Sequence, residues 1–392
     1  MANPLSDPDF LRDPYPRLAA LRRTCPVQPV PAGSGKGSSI LVTGYAEARE
    51  ALLDPALSKD TEAFFSGRPS GRSLHPAISQ TMLATDPPAH TRLRRMVAGA
   101  FSTGTVNALR PYIQQLTEQL VDRFEGPTVD LVRDYTVPLP VTIIGELLGV
   151  PPQDRPGLHD LSGQLFAAGQ PDVIDVASHT LAEYMDQLVT HKRTAPGEDL
   201  LSRLVAARDE SGSALTQAEL VSLAALLLVA GHETTTHAIG NAVLALLQHP
   251  DALARLSEAP ERAEAAVDEL LRFDSPVALS TFRWSREPTG LGDRPIEARQ
   301  SVLVALGASN RDPARFADPD TLDLDRDAQQ HLAFGHGIHR CVGAPLARAE
   351  IGIALRTLLT RHPTIALAVP PEDLAWRQTR LMRGLSSLPV TL

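Results

Sequence analysis

One cysteine carries the most specific chemistry in this 392-residue chain. Residues 334–343 read Phe-Gly-His-Gly-Ile-His-Arg-Cys-Val-Gly, and a helix-forming run from Ala344 to Arg361 follows at once. Glycine has no Cβ, so Gly335, Gly337 and Gly343 let the backbone turn tightly and approach another surface closely. Just ahead of a helix, the Cys341 thiol meets unpaired N–H groups and the positive end of the helix dipole, which favour thiolate. A thiolate presented from a tight loop to something flat and close suits iron in a porphyrin, with sulfur as the proximal ligand. A free cysteine is more often an inert buried thiol. That plainer reading leaves Phe334, Gly335, Gly337, His339 and Gly343 around it without a reason.

A second set, Ala230-Gly231-His232-Glu233-Thr234-Thr235, stands midway along a long helical run. Glycine inside a helix costs about 1 kcal/mol against alanine, so Gly231 asks for a packing or functional reason, such as close approach of a cofactor and a small ligand. Glu233 and Thr234 form an acid–alcohol pair that can relay protons to a bound oxygen species in a buried site. The alternative is a polar kink in which the hydroxyl bonds the preceding turn. His232 and His237 imitate the zinc-protease HExxH, but five residues of helix set them about 140° apart, so they cannot share one ion. Glu269 and Arg272 are spaced to pair along a helix, which alone means no more than a surface ion pair. His90 and Arg94, four apart, share a helical face.

FGHGIHRCVG resembles the haem-binding loop of the cytochromes P-450, FxxGxxxCxG, at every fixed position. AGHETT is similar to the oxygen-activation motif of that family, and Glu269-Leu-Leu-Arg272 lies where its ExxR motif would. The resemblance runs from about Tyr15 to Leu392 and includes Asn310-Arg-Asp-Pro313 in the family order. It implies a mainly α fold with a minor β part: one triangular α-helical domain over 1–392, small β-sheets, and a long central helix over the haem. It implies haem b on Cys341, with Phe334, Gly335 and Gly343 shaping the loop. His90, Arg94, Arg283 and His339 would bind the haem carboxylates, and Glu269, Arg272 and Arg326 would form a structural network. Ala230 and Gly231 would open an oxygen groove beside the catalytic pair Glu233 and Thr234. The implied activity is monooxygenation, using O2 and single electrons from a ferredoxin and its reductase, since the chain has no nucleotide fingerprint. Epoxidation or oxidative coupling on the same fold, and a haem-free glycosyltransferase helper, are the rival readings. Arg92, Arg95, Arg340 and Arg348 could offer a basic patch to the acidic electron donor. One departure is Arg299, where relatives often have glycine in a hairpin.

These motifs need elements to hold them. Thr216-Gln-Ala-Glu219 is a capping box, so the long helix should run from about 216 to 248 with Pro250 beyond its end. It is apolar nearly all round from Leu220 to Ala230, as a buried core helix is. Further helices are expected at Pro88–Phe101, Thr105–Phe124, Pro138–Leu148 and Pro260–Phe273, with two or three more between Leu158 and Lys192. Val27–Val30 and Ile40–Thr43 read as a hairpin around the Ala32–Ser39 loop; Val277–Thr281, Ser301–Leu306 and Leu388–Leu392 read as short strands. Residues 60–83 are irregular enough to be a functional, substrate-facing loop. Other apolar positions expected to face substrate are Leu165, Phe166, Leu227, Val277–Leu279 and Leu381, which suits a bulky hydrophobic molecule such as a macrolide, polyketide, terpenoid or steroid. Net charge −9 argues against nucleic acid. The N-terminus has no signal-like apolar stretch, and a Cys25–Cys341 bridge would consume the proposed ligand. A monomeric, cytoplasmic enzyme without a membrane anchor is the expectation.

Overall fold

The computed structural model describes residues 5, 8–31, 37–66, 73–167 and 170–392. Its chain divides into two compact units, Met1–Ser58 with Arg110–Thr136 and Thr234–Leu392, and Lys59–Leu109 with Val137–Glu233. The division falls between Glu233 and Thr234, inside one continuous helix, Gln217–Leu247.

The first unit contains the sheets. Strands β1 (Val27–Pro31) and β2 (Ser38–Val42) form the expected antiparallel hairpin, with Val27 opposite Val42. Together with β3 (Leu57–Ser58), they belong to a five-stranded sheet ordered β1-β2-β8-β5-β3. Strand β4 (Thr128–Asp130) belongs to a three-stranded sheet ordered β4-β10-β9. Strand β5 (Arg283–Ser285) precedes the small hairpin β6 (Thr289–Leu291) and β7 (Arg294–Ile296), and β8 (Ser301–Val304) runs parallel to β2. Strands β9 (Ala366–Leu367) and β10 (Pro389–Thr391) complete the second sheet. Apolar side chains of the first sheet, including Ile40, Val42, Val302 and Val304, pack with Leu52 and Phe316 in one core cluster.

The hairpin forms despite Arg299, which takes φ +59°, a left-handed backbone that glycine adopts at less cost. Its N–H donates to Ser285 O at 2.7 Å, and its guanidinium lies 5.7 Å from the Trp284 ring. Val277–Thr281 does not form the expected strand. Val277 makes a single bridge to Met382, while Ser280 N–H donates to Val304 O, so its hydrogen bonds are split between two partners and no ladder develops.

Two helices of this unit position the cysteine. Ala263–Phe273 buries Ala263, Ala266, Val267, Leu270 and Leu271, a helical stripe. It packs on Ala344–Arg361, where Gly352 makes room: a Cβ there would stand 2.6 Å from Glu264 Cγ and 3.1 Å from its Cα. Ala344–Arg361 also buries Glu350, 2% exposed, whose Oε2 has no hydrogen-bond partner among the described residues. Burial lifts that carboxyl well above the usual carboxylate range, so it folds as the neutral acid. An unfolded chain would ionise it at the ordinary carboxylate value near 4.5, so stability should decline as pH rises from there toward the folded value. Glu350→Gln is neutral in both states. Thermal melts should show a flatter stability curve for this variant between about pH 5 and pH 8, and a higher melting temperature at the upper end.

In the second unit, Ala89–Ala98, Pro138–Leu148, Arg155–Gln164, Pro171–Thr194 and Leu200–Ala206 are helices. The expected capping box is present: Thr216 N–H donates to Glu219 Oε2 at 2.8 Å, and Glu219 N–H donates to Thr216 Oγ1 at 3.2 Å. Of the 60–83 segment, Thr61–Phe65 and Pro76–Ser79 are short helices, and residues 67–72 lie outside the described residues. Positions 32–36 of the first hairpin loop and 168–169 lie outside them too. Among the described residues, Gln217–Leu247 alone is long and apolar enough to cross a membrane, and 61% of its most apolar window is buried within the protein.

Candidate active site

Two left-handed glycines shape the cysteine loop, Gly335 at φ +69° and Gly337 at φ +72°. At Gly337 a Cβ would stand 2.7 Å from Leu52 O, so no other residue fits without moving backbone. Cys341 N–H donates to Phe334 O at 2.8 Å and closes the loop. Gly343 is the N-cap of Ala344–Arg361, which places Cys341 two residues before that cap. The cysteine is in no disulfide, and the residue is exposed. His339 ends the one-turn helix Gly337–His339 and is half-buried.

Helix Ala263–Phe273 clamps the chain on both sides of this loop through adjacent carboxylates. Glu269 accepts two hydrogen bonds from Arg272, at 2.6 and 2.9 Å, and a third from Arg326 Nε at 3.2 Å. Arg272 is 0% exposed and also donates to the carbonyls of Asn310, Pro319 and Thr321. The structure thus brings all three network residues together, and the Glu269–Arg272 pair is buried, unlike an ordinary surface pair. Asp268 faces the other way, toward His331 at 3.1 Å and Arg348 at 2.7 Å. Burial pushes the Asp268 carboxyl up, but these two partners outweigh it and hold it at about 2. The Arg348 guanidinium in turn lies 4.5 Å from the Phe334 ring. Asn310 holds the approach to the loop, its Oδ1 accepting Leu332 N–H at 2.6 Å. Sequence reading missed Asp268 and His331; their one signal is that Asp268 adjoins Glu269 on a helix already singled out.

Arg348 is therefore paired with Asp268 and is not a lone surface cation. Arg92 is bound likewise, by Asp209 and Glu219 at 2.6 Å each, and Arg95 pairs with Glu210 at 3.0 Å. Of the four arginines assigned to the patch, Arg340 is exposed and lies in the cysteine loop itself.

On the long helix, Ala230 is exposed, and Leu226, Val229, Gly231 and Thr234 are partly so, whereas Leu227, Leu228, His232 and Glu233 are buried. Counted from Leu226, Val229, Ala230 and Thr234 follow at three, four and eight residues, one face of a helix, with Gly231 at its margin. Gly231 also has a packing reason. A Cβ there would stand 2.7 Å from Ile144 Cγ1 on Pro138–Leu148. Glu233, 1% exposed, lies 3.5 Å from His232 Nε2.

The four expected carboxylate-binding cations are placed in two groups. His90 is 2% exposed, and burial first, then neighbouring Arg94, holds its imidazole below the usual range, so it is neutral. Arg94 is half-buried on the same helix. In the first unit Arg283 opens β5 and is 3% exposed, which is rare for arginine. Within the first unit, an exposed thiol behind a glycine cradle, with Arg283 and His339 withdrawn from bulk water, is a donor set that fits an iron porphyrin bearing carboxylates.

Comparison with known proteins decides the family. The cytochrome P450 family model matches residues 164–366. Cytochrome P450 107B1 of Saccharopolyspora erythraea is 45% identical over 98% of this chain and 96% of its own. The chain belongs to the cytochrome P450 family. Among solved structures, the bacillaene polyketide synthase cytochrome P450 PksS of Bacillus subtilis 168 superposes with a TM-score of 0.91 at 36% identity, covering 99% of each chain. The tirandamycin C-bound P450 monooxygenase TamI gives 0.91 at 41% identity, covering 98% of this chain and 99% of its own. This P450 is accordingly an oxygen-incorporating oxidoreductase with the P450 fold, and membership brings a haem-thiolate cofactor, redox partners and a small-molecule substrate.

Proposed function

We propose that this P450 hydroxylates a largely apolar natural product of the polyketide or macrolide kind, with Cys341 as the proximal ligand of haem b and electrons from a ferredoxin and its reductase. The observation that carries it is the exposed Cys341 thiol, held by two left-handed glycines just ahead of a helix. The amide N–H groups of that helix end favour the thiolate a ligand must be. His90, Arg94, Arg283 and His339 would bind the two haem carboxylates. When bound, haem supplies the activation of O2 with electrons that arrive singly. Ala230 and Gly231 lie on the open face of the long helix, where a small molecule can approach its backbone. Thr234 offers a hydroxyl on that face, and buried Glu233 beside it is placed to relay a proton to it.

Exposed Phe65 and Leu381, 41% and 39% accessible, lie in two segments read as substrate-facing and suit an apolar substrate. The solved relatives named above, one from a polyketide synthase and one bound to tirandamycin C, support the same class. Neither cysteine is in a disulfide, which suits a reducing cytoplasm, where we place the protein as a monomer.

The deciding experiment is an absorption spectrum of the purified protein, reduced and exposed to carbon monoxide. A strongly red-shifted Soret band is the expected result; protein that folds with haem supplied yet shows no such band overturns the proposal and favours a haem-free helper. Thr234→Val keeps volume but removes the hydroxyl. It is expected to lower product formation by about 100-fold, the low end of what a positioned proton donor contributes, with the haem spectrum unchanged.

A further inference from the structure

We propose that His159, His232 and Glu233 form a binding site for one divalent transition-metal ion of the zinc class. One ligand atom from each lies within 4.8 Å of the other two. His232 and Glu233 are each 1% exposed on the long helix; His159, on Arg155–Gln164, is half-buried and gives the site an edge toward solvent.

The hydrogen bonding of His232 carries the argument. Its Nδ1 lies 2.8 Å from Leu228 O, a carbonyl that can only accept, so Nδ1 carries a proton and donates it there. Nε2 then carries a lone pair, and it lies 3.5 Å from Glu233 Oε1, which as a carboxylate is also an acceptor. Among the described residues Nε2 has no hydrogen-bond partner. Two acceptors facing each other in a buried place call for a cation between them. A histidine whose far nitrogen donates to a backbone carbonyl is also in the arrangement that metal-ligating histidines adopt.

His159 supplies the third donor. Its ring centroid is 5.4 Å from that of His232, and the rings are tilted by 66°, edge toward face rather than stacked. Two imidazoles and a carboxylate are a zinc donor set, with one position left for water. Tetrahedral zinc with bonds of about 2.0–2.2 Å holds its donors roughly 3.3–3.5 Å apart, so His232 and Glu233 are already at ligand spacing. His159 needs to close by about 1 Å. Five residues of helix keep His237 from sharing an ion with His232; the partner comes from a neighbouring helix, and the pairing is not legible as a linear motif. Occupancy has a consequence that rests on the proposed function. Glu233 ligating a metal no longer holds a proton, so the ion would inhibit turnover.

The test is calorimetric titration of the purified holoprotein with Zn2+, beside His159→Ala and Glu233→Gln, with helical content checked by circular dichroism. Wild type is expected to bind one equivalent, and each variant to bind that equivalent at least tenfold more weakly. Equal titrations for wild type and His159→Ala would assign the zinc to other histidines among the 12 in the chain and overturn the site, as would no binding at all. The variants lie on two different helices, so misfolding of one leaves the other to decide. The carbon monoxide spectrum separates the two ideas. A thiolate-haem band with a flat zinc titration removes the metal site alone, and zinc binding without that band removes the monooxygenase alone.

Discussion

Cys341→Ala is expected to yield a folded protein whose reduced, carbon monoxide-treated spectrum lacks the thiolate-haem band and whose turnover is at background. The fold should survive because the cysteine side chain is exposed and its structural contribution is the backbone bond from Cys341 N–H to Phe334 O, which alanine keeps. The loop glycines and the N-cap at Gly343 are untouched. Loss of activity should exceed the roughly 10–100-fold that removing an outer-shell partner of a metal ligand costs, because the ligand itself is gone. Gel filtration and circular dichroism beside the spectrum would separate this from misfolding. Activity within tenfold of wild type would show that the sulfur is not the ligand.

Glu269→Ala is expected to have the largest effect on stability. Arg272 is fully buried and depends on Glu269 for both of its carboxylate bonds. Its three carbonyl acceptors satisfy hydrogen bonds but do not neutralise the charge. Breaking a buried pair from one side typically costs about 3–5 kcal/mol, against about 1 kcal/mol or less for an exposed pair. Chemical denaturation should therefore show a fall of that size, with haem retention falling too, since Arg326 and the segment leading to the loop hang on the same carboxylate. A paired replacement, Glu269→Leu with Arg272→Met, removes both charges together and should cost less than the single change. A loss below 1 kcal/mol for Glu269→Ala would place the network in solvent.

Much of this was legible in the sequence where local rules fix the outcome. The capping box set the start of the long helix within one residue, and Pro138–Leu148 and Ala344–Arg361 fall where proline, glycine and apolar spacing put them. The cysteine loop was legible because glycine spacing there is forced by sterics, as Gly337 against Leu52 O demonstrates. What remained hidden depends on partners distant along the chain. Arg92 and Arg348 look like free surface cations until Asp209, Glu219 and Asp268 are seen beside them. Val277–Thr281 has strand-like composition, but pairing is decided by what lies alongside, and two different segments do. Gly231 invited a ligand-based explanation, and Ile144 supplies a packing one as well.

The parallel pairing of β2 with β8 also shapes how the chain comes into being. Ser39 and Ser301 are hydrogen-bonded through their side chains across 262 residues of sequence. During synthesis at about 5–20 residues per second, the β1–β2 hairpin emerges roughly 15–50 s before its central partner exists. Until then the edge of β2, rich in Ile40, Leu41 and Val42, stays open to wrong partners. Closing so long a loop is slow, which marks this sheet as a late step of folding. The cysteine loop, whose Gly337 lies close against Leu52, is synthesised later still. Low temperature during expression, or a chaperone that shields strand edges, should accordingly raise the yield of correctly assembled protein more than any change to the exposed surface.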